Sequence, residues 1–543
     1  MTDERSPTFS PLQRLGYWTG MAFSVFLLVA PSLGDLPRGA QNLAAVTVLM
    51  ATLWITQALP IAVTSLIPLL AFPVLKIQTA KGVSSAYIDE NIFLFLGGFI
   101  IALGIEKWGL HKRMALHIVR LLGTSPRRMV LGFMLATAFL SMWISNTAAT
   151  LLMLPIGLAL LSSLNNLPPP ATTISPEGFA KLEETKAAAS GRFMTVLLLG
   201  IAYSASIGGF TTLVGTPTNV TFVGIWQSKF PAGPAISAGQ WMVAVTPLGL
   251  LYLLMAWWYL TRDLPRIPGS ENLDRGFFTR RLEELGRPQR AEWLMLAVFS
   301  ATALLWMFRK QLTLGPFVVF AGWEEWFVDP EWIAEKGIHD STVAMGMAIL
   351  LFVIPARRNE SGQTEYLMDW KTAEKLPWGI LLLIGGGFAL AGAFEETGLS
   401  LYLGKQFSSV VAGWPAWLLV AATCFLLTFL TELTSNVATV ATLVPVLAQT
   451  AIDLELDPRL MMIPATIAAS CAFMLPIATP PNAIVFGSGR IEMWQMVKCG
   501  IALNLLGVVL ITAAMFLLLV PQLGISLDGI PEWAKLAVPP PPK

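Results

Sequence analysis

Long stretches of this chain run without a single charged side chain, for example 40–75, 129–161, 193–228, 240–260, 460–489 and 499–527. Each is long enough for at least one membrane span of about 20 residues. Charged residues make up 13% of the chain, about half of the ~25% usual for globular proteins. A chain of this kind is a polytopic membrane protein. The net charge of +1, with no basic stretch interleaved with aromatics, gives no sign of a nucleic-acid partner. The 19 Trp suit interfacial belts and packing. Cys424, Cys471 and Cys499 lie far apart in apolar surroundings and are read as small buried hydrophobes rather than a disulfide or metal site. The N-terminus lacks a short apolar core followed by a small-residue cleavage site, so the first span is expected to be retained.

Candidate spans are 16–34, 41–58, 60–76, 91–110, 193–228, 239–261, 291–312, 341–356, 377–397, 460–488 and 498–521. Two more apolar segments, 129–162 and 413–450, are each too long for one span and are broken near the middle. Each is expected to be a helical hairpin that dips in and returns to the same face. The expected fold is an all-α polytopic membrane protein with eleven transmembrane helices plus two re-entrant helical hairpins. With the N-terminus in the cytoplasm, the inside segments 1–15, 107–128, 165–192, 262–290, 357–375 and 490–498 hold most of the 35 Lys and Arg. The opposite side carries Glu324, Glu325, Asp329, Glu331 and Glu335. This bias follows the positive-inside rule and leaves the C-terminus, an extended tail ending in PPPPK, outside the cell.

Three motifs occur twice in the same order. FLFLGGFIIALGIEKWGL (93–110) matches LLLIGGGFALAGAFEETGL (381–399), pairing Gly97-Gly98-Phe99 with Gly386-Gly387-Phe388, Glu106 with Glu395 and Gly109 with Gly398. SNTAATLLMLP (145–155) aligns without a gap on SNVATVATLVP (435–445). GTPTN (215–219) matches ATPPN (478–482). The charge pattern runs 91–110 and 377–397 in opposite directions, so the repeats are inverted, as in many secondary transporters.

The triplets Ser145-Asn146-Thr147 and Ser435-Asn436-Val437 interrupt apolar sequence, and polar groups at membrane depth cost free energy unless they are satisfied. Ser, Asn and Thr favour helix N-caps, so each hairpin tip should present a half-helix N-terminus, whose partial positive charge and free N–H groups suit an anion. The Asn amide offers both a donor and an acceptor. In GTPTN and ATPPN, proline removes a backbone donor and opens the helix. Freed carbonyls at depth are tolerated inside protein or around a cation, so with Ser, Thr and Asn oxygens they form a plausible sodium cage. Ser141, Thr431 and Thr434 offer hydroxyls close before the tips, although a hydroxyl bonded back to its own helix is about as plausible for each. Glu432 lies near membrane depth opposite Met142, which points to a structural or gating salt bridge. Glu106, Glu395 and Glu396 are read as solvated span ends. The stretch 111–123 abuts a span and reads as an amphipathic arm along the inner surface.

Absent motifs narrow the function. There is no phosphate-binding Gly-rich loop ending in Lys-Ser or Lys-Thr, which disfavours an ATP-driven pump. No His or Cys is expected to pair with Ser145 or Ser435, so an embedded hydrolase is disfavoured and the chain is read as a carrier, not an enzyme.

The paired triplets, GTPTN, ATPPNAIVFGSG and the GGF repeat resemble the divalent anion:sodium symporter (DASS) family of INDY-type di- and tricarboxylate transporters, over about 16–521. The resemblance implies sodium-coupled symport of di- or tricarboxylates (succinate, malate, fumarate or citrate) into the cell, with sulfate carried in some branches. It implies a homodimer in the plasma or inner membrane and an elevator mechanism with scaffold and transport domains, two or more co-transported Na⁺ and no organic cofactor. A sodium-independent dicarboxylate exchanger is the alternative. Carried over by position, one sodium site falls on Ser141, Ser145, Asn146 and Gly215, and the other on Thr431, Thr434, Asn436 and Ala478. Substrate contacts fall on Ser145, Asn146, Thr147, Thr216, Ser435, Asn436, Val437 and Thr479. Val437 departs from the Ser-Asn-Thr form and removes one hydroxyl. The implied organisation is a cytoplasmic 1–15, scaffold helices in 16–90 and 239–356, and a transport domain of 91–228 and 377–488. A last transmembrane helix at 498–521 and an extracytoplasmic tail at 522–543 complete it.

Overall fold

The computed structural model describes residues 11–32, 36–122, 125–165, 176–264, 276–314, 317–326, 337–358, 362–527 and 529–535. The first ten residues, the expected loop acids Asp329, Glu331 and Glu335, and the PPPPK tail lie outside the described residues.

In chain order the helices are α1 (Pro11–Val29), α2 (Arg38–Thr56), α3 (Ile61–Thr64), α4 (Ile67–Val74), α5 (Ala80–Ser85), α6 (Glu90–Lys107), α7 (Leu110–Leu122), α8 (Pro126–Ser141), α9 (Asn146–Asn165), α10 (Pro176–Phe210), α11 (Pro217–Lys229) and α12 (Ala238–Thr261). There follow α13 (Gly276–Glu284), α14 (Arg290–Met307), α15 (Asp340–Val353), α16 (Trp370–Ala373), α17 (Trp378–Glu396), α18 (Leu399–Val411), α19 (Ala416–Thr431), α20 (Asn436–Asp453), α21 (Arg459–Ala469), α22 (Pro480–Gly487) and α23 (Met493–Ala514). The chain is mostly helical, but not wholly as expected. Two small antiparallel hairpins, β1 (Leu312–Leu314) with β2 (Phe317–Phe320) and β3 (Pro355–Arg358) with β4 (Thr364–Tyr366), occupy connecting segments.

Among the described residues, eight helices are long and apolar enough to cross a membrane, or nine if α18 and α19, bent by 117°, are joined. Several expected spans are broken: 60–76 into α3 and α4, 193–228 into α10 and α11, and 460–488 into α21 and α22. Proline explains much of this. Pro217 and Pro480 open α11 and α22, where the missing N–H is no loss but the preceding helix cannot continue.

The duplicated segments share one plan. Gly109 (φ 70°) and Gly398 (φ 75°) take the left-handed backbone that glycine tolerates, so α6 turns into α7 and α17 into α18. The stretch 111–122 of the expected arm forms α7, and α18 is the corresponding helix of the second repeat. The pairing of Gly109 with Gly398 was the available signal. The GGF glycines let helices touch. A Cβ on Gly97 would lie 2.6 Å from the backbone of Ala344 in α15, and one on Gly386 would lie 2.6 Å from Ser65 O. Within a bilayer such close approach by small residues replaces the hydrophobic drive.

Glu395 is a partly exposed end that also pairs at 3.1 Å with Lys229, which is 5% exposed, and ties α17 to α11. At the end of α6, Lys107 donates to Asp369 at 2.7 Å; this bond first, with Thr372 N and Oγ1 donating to the same carboxylate, lowers the Asp369 carboxyl from 3.8 to about 2.

Candidate functional site: two broken helix pairs

Helix α8 ends at Ser141 and α9 begins at Asn146, while α19 ends at Thr431 and α20 begins at Asn436. Both breaks span four residues and place the triplets at the start of the second helix. The unwound segments 211–216 and 470–479 separate α10 from α11 and α21 from α22. Besides packing on α10 and α21 of their own halves, α9 packs on α22 and α20 on α11 of the opposite half. Each triplet-bearing helix thus lies against the proline-started helix of the opposite half.

Asn219 and Asn482 play the same part in each half. Asn219 Nδ2 donates to Phe210 O (2.9 Å) and Thr212 O (2.7 Å), and Asn482 Nδ2 donates to Ala472 O (3.2 Å) and Leu475 O (3.1 Å). Each amide grips the carbonyls that the unwound backbone frees, which meets the requirement that buried carbonyls be paired. Thr216 and Thr479 cap the helices that follow and are 5% and 4% exposed. Thr479 Oγ1 accepts from Asn482 N at 3.3 Å, whereas Thr216 Oγ1 lies 3.3 Å from Thr218 Oγ1.

In the first half, Ser141, Asn146 and Gly215 converge. Ser141 Oγ donates to Ala205 O at 2.7 Å and lies 2.6 Å from the Asn146 carboxamide. With its nitrogen turned inward, that carboxamide donates to Ser141 Oγ (2.6 Å), Gly215 O (3.3 Å) and Ala205 O (3.2 Å). With its oxygen inward, four oxygens face one another, an arrangement that suits a hard cation. Gly209 and Gly215 make the cluster possible. A Cβ at Gly209 would lie 2.2 Å from Asn146 Oδ1, and one at Gly215 would lie 2.4 Å from Gly209 O and 2.8 Å from Ser141 O. Ser145 Oγ accepts from Ala148 N at 3.2 Å as an N-cap, with half-buried Thr147 beside it. Ala205 and Gly209 were not anticipated, because they contribute a backbone carbonyl and open space, which leave no side-chain signature.

The second half is built differently. Thr431 Oγ1 turns back to Leu427 O (2.9 Å) and Thr428 O (3.1 Å), and Thr434 Oγ1 donates to Leu430 O (2.9 Å) and lies 2.6 Å from Thr439 Oγ1. Among the described residues, Asn436 Oδ1 is buried without a hydrogen-bond partner, and Ser435 Oγ makes no cap bond. Ala478 is 8% exposed, with its N–H on Leu475 O at 3.2 Å. Val437, 7% exposed, packs in the apolar cluster of α2, α4 and α17.

Glu432 departs from the expected salt bridge. It is 3% exposed and accepts from Met474 N (2.8 Å), Leu475 N (2.9 Å) and Asn504 Nδ2 (2.6 Å). It pins the hairpin break to the unwound segment and to α23. The first half makes the same link in reverse. There Thr212 Oγ1 donates to Met142 O (2.5 Å) and accepts from Gly215 N (3.0 Å). The repeat pairs Met142 with Glu432 and Thr212 with Leu475, so the side chain that reaches across belongs to opposite partners in the two halves.

Among the described residues no group of three or more His, Cys, Asp or Glu converges on a metal position. Apart from the Glu432 carboxylate, which is taken up by Met474 N, Leu475 N and Asn504 Nδ2, the oxygens at the breaks are neutral, which fit an alkali cation better than a transition metal.

A family described as "Sodium:sulfate symporter transmembrane region" matches residues 13–520. A Staphylococcus saprophyticus protein named sodium-dependent dicarboxylate transporter SdcS is 40% identical over 487 residues, covering 89% of this chain and 86% of its own length. The Staphylococcus aureus (strain bovine RF122 / ET3-1) protein of that name is 38% identical, with 97% and 95% covered. Among solved structures, Neisseria gonorrhoeae MtrF (TM-score 0.52, 13% identity, 94% of this chain and 100% of that one) and the Alcanivorax borkumensis YdaH transporter (TM-score 0.53, 14% identity, 93% and 98%) share the fold.

Proposed function

Because this chain belongs to the sodium:sulfate symporter transmembrane family, we propose that it is a secondary transporter that brings dicarboxylate or tricarboxylate anions into the cell together with sodium. It is a carrier rather than an enzyme. The relatives named sodium-dependent dicarboxylate transporters span nearly the same length and support the dicarboxylate over sulfate. The observation that carries the reading is the pair of helix breaks, each with a polar triplet starting a half-helix packed on the opposite half.

In this reading Ser141, Ser145, Asn146 and Gly215 hold one sodium, and Thr431, Thr434, Asn436 and Ala478 hold another. The anion lies against Ser145, Asn146, Thr147, Thr216, Ser435, Asn436, Val437 and Thr479, held by hydroxyls, amides and the N-termini of α9 and α20. The Asn146 carboxamide couples the two ligands. Its nitrogen satisfies the first cluster without a cation, and its oxygen ligates sodium when the amide turns. Sodium thereby favours the anion-competent state, the differential affinity that symport requires. Eleven crossings with two re-entrant hairpins, a cytoplasmic N-terminus and a homodimer complete the proposal. The transport domain (91–228 and 377–488) slides as an elevator against the scaffold.

The test is radiolabelled succinate, citrate and sulfate uptake into proteoliposomes, with and without an inward sodium gradient. Succinate uptake driven by the gradient is expected; substrate-for-substrate exchange indifferent to sodium would overturn symport. Gly215→Ala is expected to raise the half-saturating sodium concentration by about tenfold or more, since overpacking costs about 1–3 kcal/mol. An unchanged sodium curve would remove Gly215 from the site.

A further inference from the structure

We propose that a cleft between α10, α12 and α23 holds the phosphate head group of an anionic phospholipid. The cleft has a volume of about 430 Å³ and is lined by Arg192, Arg262 and Lys498, with Asp263 the acid among its lining residues. Asp263 lies 3.6 Å from Arg192 and 3.3 Å from Arg262, so one carboxylate is shared between two guanidinium groups. Lys498 makes no ion pair among the described residues. Its ammonium lies 5.9 Å from the Trp494 ring, and the Arg262 guanidinium lies 4.7 Å from the Tyr259 ring. The cleft therefore carries a surplus of positive charge. Arg127 adds another cation at the rim, where it donates to Arg262 O at 2.8 Å.

Aromatic and basic side chains gathered at helix ends mark the head-group level of a bilayer. Arg262 follows the end of α12, Arg192 begins the apolar part of α10, and Lys498 lies in the second turn of α23. Beyond Lys498 the same face of α23 continues as Ile501, Leu505 and Val509, which are 41%, 47% and 64% exposed. Their spacing keeps them on one stripe leading from the basic cleft toward the apolar interior. A free phosphate ion uses the cations alone; a phospholipid uses the cations and also covers the stripe with an acyl chain. Basic pockets between transmembrane helices suit such head groups. The inference is independent of the transported anion, since the cleft shares no residue with the triplets.

The test uses purified protein in phosphatidylcholine vesicles containing spin-labelled phosphatidylglycerol. The wild type should immobilise the labelled lipid in preference to labelled phosphatidylcholine. Each basic side chain is worth about fivefold in affinity for an anionic surface. Lys498→Gln should weaken the preference about fivefold and Lys498→Arg should keep it, while Arg192→Gln/Arg262→Gln/Lys498→Gln together should lower it on the order of a hundredfold. Equal preference in the wild type and Lys498→Gln would overturn the proposal, even if the triple variant failed to fold. Displacement of the lipid by millimolar inorganic phosphate would also overturn it, as a free-phosphate site.

Discussion

Asn146→Ala and Asn436→Ala are each expected to lower sodium-driven anion uptake by at least about tenfold, the equivalent of one lost buried hydrogen-bonding group at about 1–3 kcal/mol. The two variants should fail differently. Asn146 joins Ser141, Gly215 and Ala205 in one cluster, so its loss leaves Gly215 O and Ala205 O facing a gap. Sodium affinity should fall more than anion affinity. Asn436 presents a buried oxygen that has no hydrogen-bond partner among the described residues. Its removal costs the fold little and should appear almost wholly in ligand binding. Uptake measured over a matrix of sodium and succinate concentrations separates the two effects. If both variants keep coupled uptake intact, the triplets are not the binding site.

Glu432→Ala should destabilise the folded protein by about 3–5 kcal/mol, because it strands buried donors that now meet one carboxylate. Those donors are Met474 N, Leu475 N and Asn504 Nδ2, brought from the unwound segment and from α23. Glu432→Gln keeps one oxygen acceptor and should lose less. Thermal unfolding in detergent, followed by tryptophan fluorescence, reads both. A midpoint for Glu432→Ala equal to the wild type would show that the carboxylate does not hold the break to the unwound segment. The first half supplies an internal comparison. Thr212→Val removes the reversed link to Met142 O, and with it the acceptor for Gly215 N.

Much of this architecture was legible in the chain because the repeat wrote it twice. The Ser-Asn triplets start α9 and α20, and the Thr-Pro pairs start α11 and α22, since capping and proline act within a few residues. Elements governed by distant contacts are less legible. Glu432 faced Met142 in the alignment, which gave no hint of Asn504, 72 residues further on. Glu395 reads from the sequence as a solvated end, and only the fold brings Lys229 of another helix to pair with it. Thr431 matches Ser141 in the repeat and Thr434 stands where the first half has Ile144; both threonine hydroxyls fold back onto their own helix, whereas Ser141 crosses to Ala205. A threonine in a helix can satisfy its hydroxyl locally, and spacing alone does not choose between the two outcomes.

The sequence by itself determined that the chain lives in a membrane, that it is duplicated, and where the helices of the triplets and of the Thr-Pro pairs must break. Composition, caps and prolines act locally and need no partner. Only the tertiary structure decided that each triplet-bearing helix also packs on the opposite half, that a carbonyl from Ala205 and the open flank of Gly209 complete the first cluster, and that Glu432 and Thr212 make one link from opposite ends. Backbone oxygens and the space beside a glycine look alike everywhere in a sequence, and acquire chemical meaning when packing aims them at one another.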